Sequence, residues 1–266
     1  MKSNTKKQRV KRNKTVRYRK RVLIGGNPLK VAMFFVGRVT AYKNVLQKLF
    51  DIQKRYNPVI FASLNGEKIE TDLENSREFQ KDFKIPSEQY NLEEIQFPNW
   101  LTTCWNNRPI NPRAMFSMFY HMNRVFKMIE TYQEKNAMKF DCILYYRADI
   151  DSIDTLTLSD KLEKNTIYLS NQDAIGGYND RMAYGDYDSM KIYCNLYNSL
   201  ESLFCGDRSL INPESILKKY LSEVKLNVSL INYDTRLHPL RKHVGGARWK
   251  NKKRAKLSLQ RKSIIT

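Results

Sequence analysis

The sequence predicts an α/β fold: a single Rossmann-like domain with a largely parallel central sheet flanked by helices. Short apolar runs with the length and composition of buried strands recur at 30–36, 59–63, 140–146, 165–170 and 228–231. Longer stretches between them carry apolar residues at i, i+3 and i+4, the spacing of one buried helix face. Strands alternating with helices imply right-handed crossovers and therefore parallel pairing. The domain is expected to span 30–241, between basic, disordered tails at 1–29 and 242–266.

The first run, Lys30 to Val36, stops at Gly37-Arg38. Tyr42, Val45, Leu46, Leu49 and Ile52 then mark a helix that ends near Asn57-Pro58, and Val59 to Ser63 is the next strand. In this β-α-β unit, Gly37 can let backbone approach a ligand, and Arg38 can face a nucleotide phosphate at the strand's carboxyl end. An ordinary tight turn explains the pair equally well. No GxGxxG and no Walker-type loop is present.

Residues 64–111 are less regular. The charged stretch from Glu67 to Asp82 reads as an exposed helix, and Pro86 to Pro112 as a long loop whose Trp100 and Trp105 either pack or stack on a sugar or base. Pro112 opens the strongest helix of the chain, with Met115, Phe116, Phe119, Met122, Val125, Phe126 and Ile129 as its core face. His121, within that stripe, reads as a hydrogen-bonded packing residue.

The central run, Phe140 to Tyr146, ends in Arg147-Ala148-Asp149-Ile150-Asp151. Ligands of open α/β sheets bind at the carboxyl ends of central strands. Two carboxylates at i and i+2 can share a hard divalent cation whose remaining positions go to water and phosphate oxygens. Asp149 and Asp151 are therefore candidate metal ligands, with Arg147 and Asp149 as candidate cofactor contacts; a local role for the two acids in a turn is the alternative. Further on, Asp180 and Arg181 follow a Gly176-Gly177 pair, where a carboxylate and a guanidinium can flank a substrate or simply hold the loop. A helix is expected from Asp186 toward Phe204, and Asn212-Pro213-Glu214 reads as a cap, a proline and a first-turn acid opening another. His238 and His243, beyond the last strand, can complete a metal site or meet a diphosphate, but a basic surface tail is the preferred reading.

The formal charge of +20 is localised: residues 1–30 carry 12 Lys/Arg and residues 236–266 carry 11, neither with any acid. The body between holds all 27 acids and is close to neutral. Such arms attract polyanions or anionic surfaces, whereas a dedicated nucleic-acid binder would interleave basic and aromatic residues on the body as well. Cys104, Cys142, Cys194 and Cys205 lack metal-ligand spacing and read as reduced core thiols. With no apolar run of membrane-spanning length and no secretory signal, the expectation is a soluble, cytoplasmic protein.

Taken together, Phe34-Phe35-Val36-Gly37-Arg38, the Tyr-Arg-Ala-Asp-Ile-Asp end of the central run, Asn179 to Gly185 followed by Met190 and Tyr193, and Asn212-Pro213-Glu214 resemble a group of glycosyltransferase-like proteins. These are similar to the GT-A class of nucleotide-sugar transferases and occur in large DNA viruses and microbial polysaccharide gene clusters. The resemblance spans roughly Lys30 to Arg241, and the basic tail before Gly25-Gly26 looks like those of giant-virus members. It implies that Asp149 and Asp151 bind Mg²⁺ or Mn²⁺ and through it the diphosphate of a nucleotide-sugar donor, with Arg147 beside them. Asp180 is then the first candidate to take the proton of a glycan or protein-linked acceptor. A non-catalytic protein acting through its tails, and a metal-dependent phosphoryl transferase or nuclease, are the alternative classes.

Overall fold

The computed structural model describes residues 23–24, 27–40, 42–66, 70–104, 111–159, 161–172, 174–207 and 209–237. Most of both basic tails, Trp105, His238 and His243 lie outside them. Strands β1 (Leu23–Ile24) and β2 (Asn27–Pro28) pair as a short antiparallel ribbon inside the segment expected to be a disordered arm.

Strand β3 (Val31–Gly37), helix α1 (Tyr42–Tyr56) and strand β4 (Val59–Asn65) form the predicted β-α-β unit, with β3 and β4 parallel. Helix α1 ends at Asn57, whose φ of 47° is the left-handed conformation Asn tolerates, and Pro58 blocks continuation. Helix α2 (Glu70–Asp82) is amphipathic rather than simply exposed, since Phe79 is wholly buried. The expected long loop includes regular secondary structure. It contains strand β5 (Tyr90–Glu93), parallel to β4, and helix α3 (Asn99–Thr103). Only four residues pair in β5, too few for an apolar period to show.

Helix α4 (Pro112–Lys135) begins as predicted, its N-cap Asn111 accepting from the backbone of Arg113 and Ala114. Strand β6 (Cys142–Arg147) and β7 (Ile150–Ile153) are separated only by Ala148-Asp149, so Asp151 sits in a strand rather than a turn. Strands β8 (Thr166–Ser170) and β9 (Met182–Gly185) follow. The single helix expected from Asp186 is two, α5 (Tyr187–Cys194) and α6 (Leu196–Gly206), divided at Asn195. Helix α7 (Pro213–Glu223) precedes β10 (Asn227–Ile231), and β11 (Thr235–Leu237) adds an unpredicted antiparallel partner for β7.

The main sheet has the order β10-β8-β9-β6-β3-β4-β5, parallel except at β9. Side chains alternate across it. Phe34 and Tyr145, with ring centroids 5.2 Å apart, face α4 to α7, while Phe35 and Tyr146 face α1 and α2. Burying each such ring contributes roughly 2 kcal/mol. Among the described residues no helix is long and apolar enough to cross a membrane.

The reduced-thiol expectation holds for Cys142 and Cys194, which are buried and free. It fails for Cys104 and Cys205, which form a disulfide across 101 residues. Their distance in sequence hid a pairing that only the docking of α3 on α6 creates.

Candidate functional site

Sheet order locates the site. Going outward from β3, the chain first lays down β4 and β5 on one side and then crosses to place β6 on the other. Between β3 and β6 the winding reverses, and the crevice outside the carboxyl ends of such a pair binds ligands in open α/β sheets. The register sets Val36 opposite Arg147, so Gly37-Arg38 and Arg147-Ala148-Asp149 emerge side by side.

Gly37 has φ of +95° with open space where a Cβ would be, so the turn requires glycine for its backbone rather than for packing. Arg38 turns to α2, its Nε 2.8 Å from Asp72 Oδ2. Arg147 continues the parity of Ile143 and Tyr145 and so faces the α4 to α7 layer. Its Nε and Nη2 donate to the two oxygens of Asp149 at 3.0 and 2.8 Å, and Nη1 donates to Asp180 Oδ2 at 3.1 Å. Burial opposes the charge on Arg147, but Asp149 and Asp180 together raise its pKa well above the usual value. Asp149 and Asp180 are themselves only 3 % exposed.

Asp180 is held from several directions. Its carbonyl accepts from the buried Tyr145 hydroxyl at 3.0 Å, and the flanking Asn179 Oδ1 accepts from the Arg181 backbone at 2.9 Å. The Arg181 guanidinium reaches away, donating to the Thr235 carbonyl at 2.6 Å and so tying the loop to β11. The other half of the acidic motif also lies apart: Asp151 Oδ1 accepts from Asn44 of α1 at 2.6 Å. Thus Arg147, Asp149 and Asp180 form one network, whereas Arg38 and Asp151 have partners on α2 and α1. Leu237 pairs with Ile150, so the chain leaves the described body beside Asp149 and Asp151.

Glu214 belongs to this site although the sequence reading explained it by capping. The capping box is made by Asn212 and Ser215 instead. Burial, then the nearby Asp180 charge, push the Glu214 carboxyl up to about 7, partly offset by Arg147 and Arg181. The close approach of Gly177 brings it there. Tyr178 donates its backbone N–H to the Glu214 carbonyl at 3.1 Å, and a Cβ on Gly177 would fall 1.9 Å from that oxygen. The Asn-x-x-Ser spacing was the available signal that Glu214 was not needed as a cap.

Two carboxylates with hard oxygens suit Mg²⁺ or Mn²⁺ in kind, and such ions accept one or two protein carboxylates when phosphates fill the other positions. Among the described residues, no group of three or more His, Cys, Asp or Glu side chains is placed to hold a metal. His121 is buried and bonded through Nδ1 to Ser63 Oγ at 2.9 Å, and burial lowers its pKa to about 4, so it is a neutral packing residue.

No protein-family model matches the chain, and no curated protein does. Matches to solved structures extend to 87 chains. One is the apo form of the glycosyltransferase GlyE of Streptococcus pneumoniae TIGR4, 14% identical with a TM-score of 0.39. The alignment covers 75% of this chain and 45% of that one, so this chain spans less than half of GlyE.

Proposed function

We propose that this protein is a glycosyltransferase that moves a sugar from a nucleotide-sugar donor to a hydroxyl of a glycan or protein-linked acceptor. The observation that carries the reading is the network at the strand-order reversal: a buried guanidinium held by Asp149 and Asp180, with Glu214 beside Asp180 at a pKa of about 7. Structural ion pairs need no third carboxyl poised near neutrality, whereas a proton acceptor does. The sequence resemblance directs the choice toward a sugar nucleotide.

In this reading the open turn at Gly37 admits the donor, and Arg38 exchanges Asp72 for its diphosphate. Asp149 and Asp151 would hold Mg²⁺ or Mn²⁺ once Asp149 gives up an Arg147 donor and Asp151 its Asn44 contact, and the cation would supply stabilisation of charge on the departing nucleoside diphosphate. Arg147 uses three of its five N–H donors to fix Asp149 and Asp180. Glu214, its carboxyl raised to about 7 by burial and the nearby Asp180 charge, takes the acceptor proton as the acceptor oxygen bonds the anomeric carbon and the bond to diphosphate breaks. Arg181, anchored on Thr235, keeps the loop in place. The Cys104–Cys205 bond favours maturation in an oxidising compartment over the cytoplasm, and the basic arms add attraction to an anionic surface or polymer.

The test is to incubate the full chain with a panel of nucleotide sugars and simple glycan acceptors, with Mn²⁺ or Mg²⁺, and measure nucleoside diphosphate released. Release from one donor, abolished in Asp149→Asn and strongly reduced in Glu214→Gln, is expected. Cleavage of added nucleic acid with every nucleotide sugar intact would move the site to phosphoryl transfer.

A further inference from the structure

A second feature lies in the helical layer and shares no lining residue with the Arg147, Asp149, Asp180 and Glu214 group. Helices α3, α4 and α6 border an open pocket of ≈ 490 Å³ that includes Phe97, Trp100 and Tyr197 among its walls, with Gln96, Asn198 and Glu201 at its polar positions. The three aromatic side chains are half-buried and the three polar ones exposed. Aromatic packing forms the floor: Phe116, itself buried, packs 5.8 Å from the Trp100 ring and 5.5 Å from that of Tyr197, and Trp100 also meets Phe204 at 6.2 Å. Cys104 caps α3 and Cys205 lies in α6, so the disulfide fastens the helix that carries Trp100 to the helix that carries Tyr197, Asn198 and Glu201.

We infer that this pocket is a glycan-binding subsite for a neutral oligosaccharide, which brings an acceptor chain to the protein. The chemistry of the walls selects the class. A sugar ring presents an apolar C–H face to an aromatic side chain and hydroxyls at its edge, and amides and a carboxylate are the groups that bind such hydroxyls. A purely lipidic or peptide-helix groove would not need that polar complement. Glu201 disfavours an anionic ligand, and the nearby Arg113 guanidinium is already placed over the Phe97 ring at 5.2 Å. The volume lies within the range of small-molecule pockets and admits a few sugar residues. The clamp across α3 and α6 limits the ordering cost of binding, because the walls are fixed before the ligand arrives.

The role of this subsite rests on the glycosyltransferase reading, but binding itself does not, and the experiment separates the two. Saturation-transfer NMR on the full chain is run with maltotriose, cellotriose and N,N′,N″-triacetylchitotriose, without donor or metal. Saturation of ring protons in at least one trisaccharide is expected. Asn198→Ala and Glu201→Ala, both at exposed positions, each weaken that ligand by about tenfold, the loss of one or two hydrogen bonds. Tyr197→Ala weakens it further, reduction of the disulfide weakens it without unfolding the sheet, and Asp149→Asn leaves it unchanged. Absence of transfer to all three sugars, or binding unaltered in the Asn198, Glu201 and Tyr197 variants, overturns the inference. Glycan binding retained in a protein that processes no nucleotide sugar sinks the transferase reading and leaves the subsite standing.

Discussion

Two arginines leave neighbouring strands at the same edge of the sheet and meet different fates. Arg38, after β3, pairs with Asp72, with side chains 32% and 13% exposed. Arg147, at the end of β6, pairs with Asp149 and Asp180, with side-chain exposures of 14%, 5% and 3%. The first pair is partly open to water, which screens it and makes it worth at most about 1 kcal/mol. The second takes three charged groups out of water, and well-packed apolar residues commonly serve stability as well as such a network. Stability alone therefore accounts for the Arg38 pair but gives weak reason to bury the Arg147 network, and in this account the network is kept for its chemistry.

The most severe way to break the comparison is Arg147→Ala, which leaves Asp149 and Asp180 buried without their cation. A loss of about 3–5 kcal/mol is expected, read as a fall in Tm on the order of 10 °C. Gly177→Ala comes next. Its methyl group meets the Glu214 carbonyl, so loop 176–178 and the start of α7 must part, costing about 1–3 kcal/mol and returning the Glu214 pKa toward the ordinary carboxylate range.

Glu214→Gln has a sign that depends on pH. The Glu214 carboxyl titrates near 7 when folded against a reference of 4.5, so the folded state holds the proton more tightly and wild-type stability falls as pH rises from 4.5 through 7. The Gln variant should match wild type below pH 4.5 and melt a few degrees higher at pH 8, while losing the ascending limb of activity near pH 7. Melting curves at both pH values check this directly. Smallest of all, Arg38→Ala should change chemical-denaturation stability by no more than about 1 kcal/mol, while weakening nucleotide binding if Arg38 meets the diphosphate.

Much of this was legible in the sequence because it depends on local pattern. The apolar runs gave the parallel strands, and Pro112 and Asn212-Pro213 marked helix starts through their own local chemistry. What escaped depends on contacts between distant segments. The four-residue strands β5 and β7 and the three-residue β11 exist through pairing, the disulfide through the docking of α3 on α6, and the Glu214 environment through the close fit of Gly177. At the site, the sequence named Arg147, Asp149 and Asp180, whose network follows from their ends of β6 and β9. It did not reveal that Asp151 turns to Asn44 or that Arg181 spans to β11.

The central claim is that the edge holding Arg147, Asp149 and Asp180 receives a nucleoside diphosphate. Thermal melting of the full chain with uridine, guanosine, cytidine, adenosine and thymidine diphosphates, with and without Mn²⁺, tests it most directly beside an Asp149→Asn/Asp151→Asn variant. A ligand at 100 times its Kd stabilises the native state by about 2.7 kcal/mol. The account predicts a rise of several degrees with one nucleotide and Mn²⁺ that vanishes in the variant. A folded wild-type protein whose Tm no nucleotide moves, or moves equally in the variant, would contradict it.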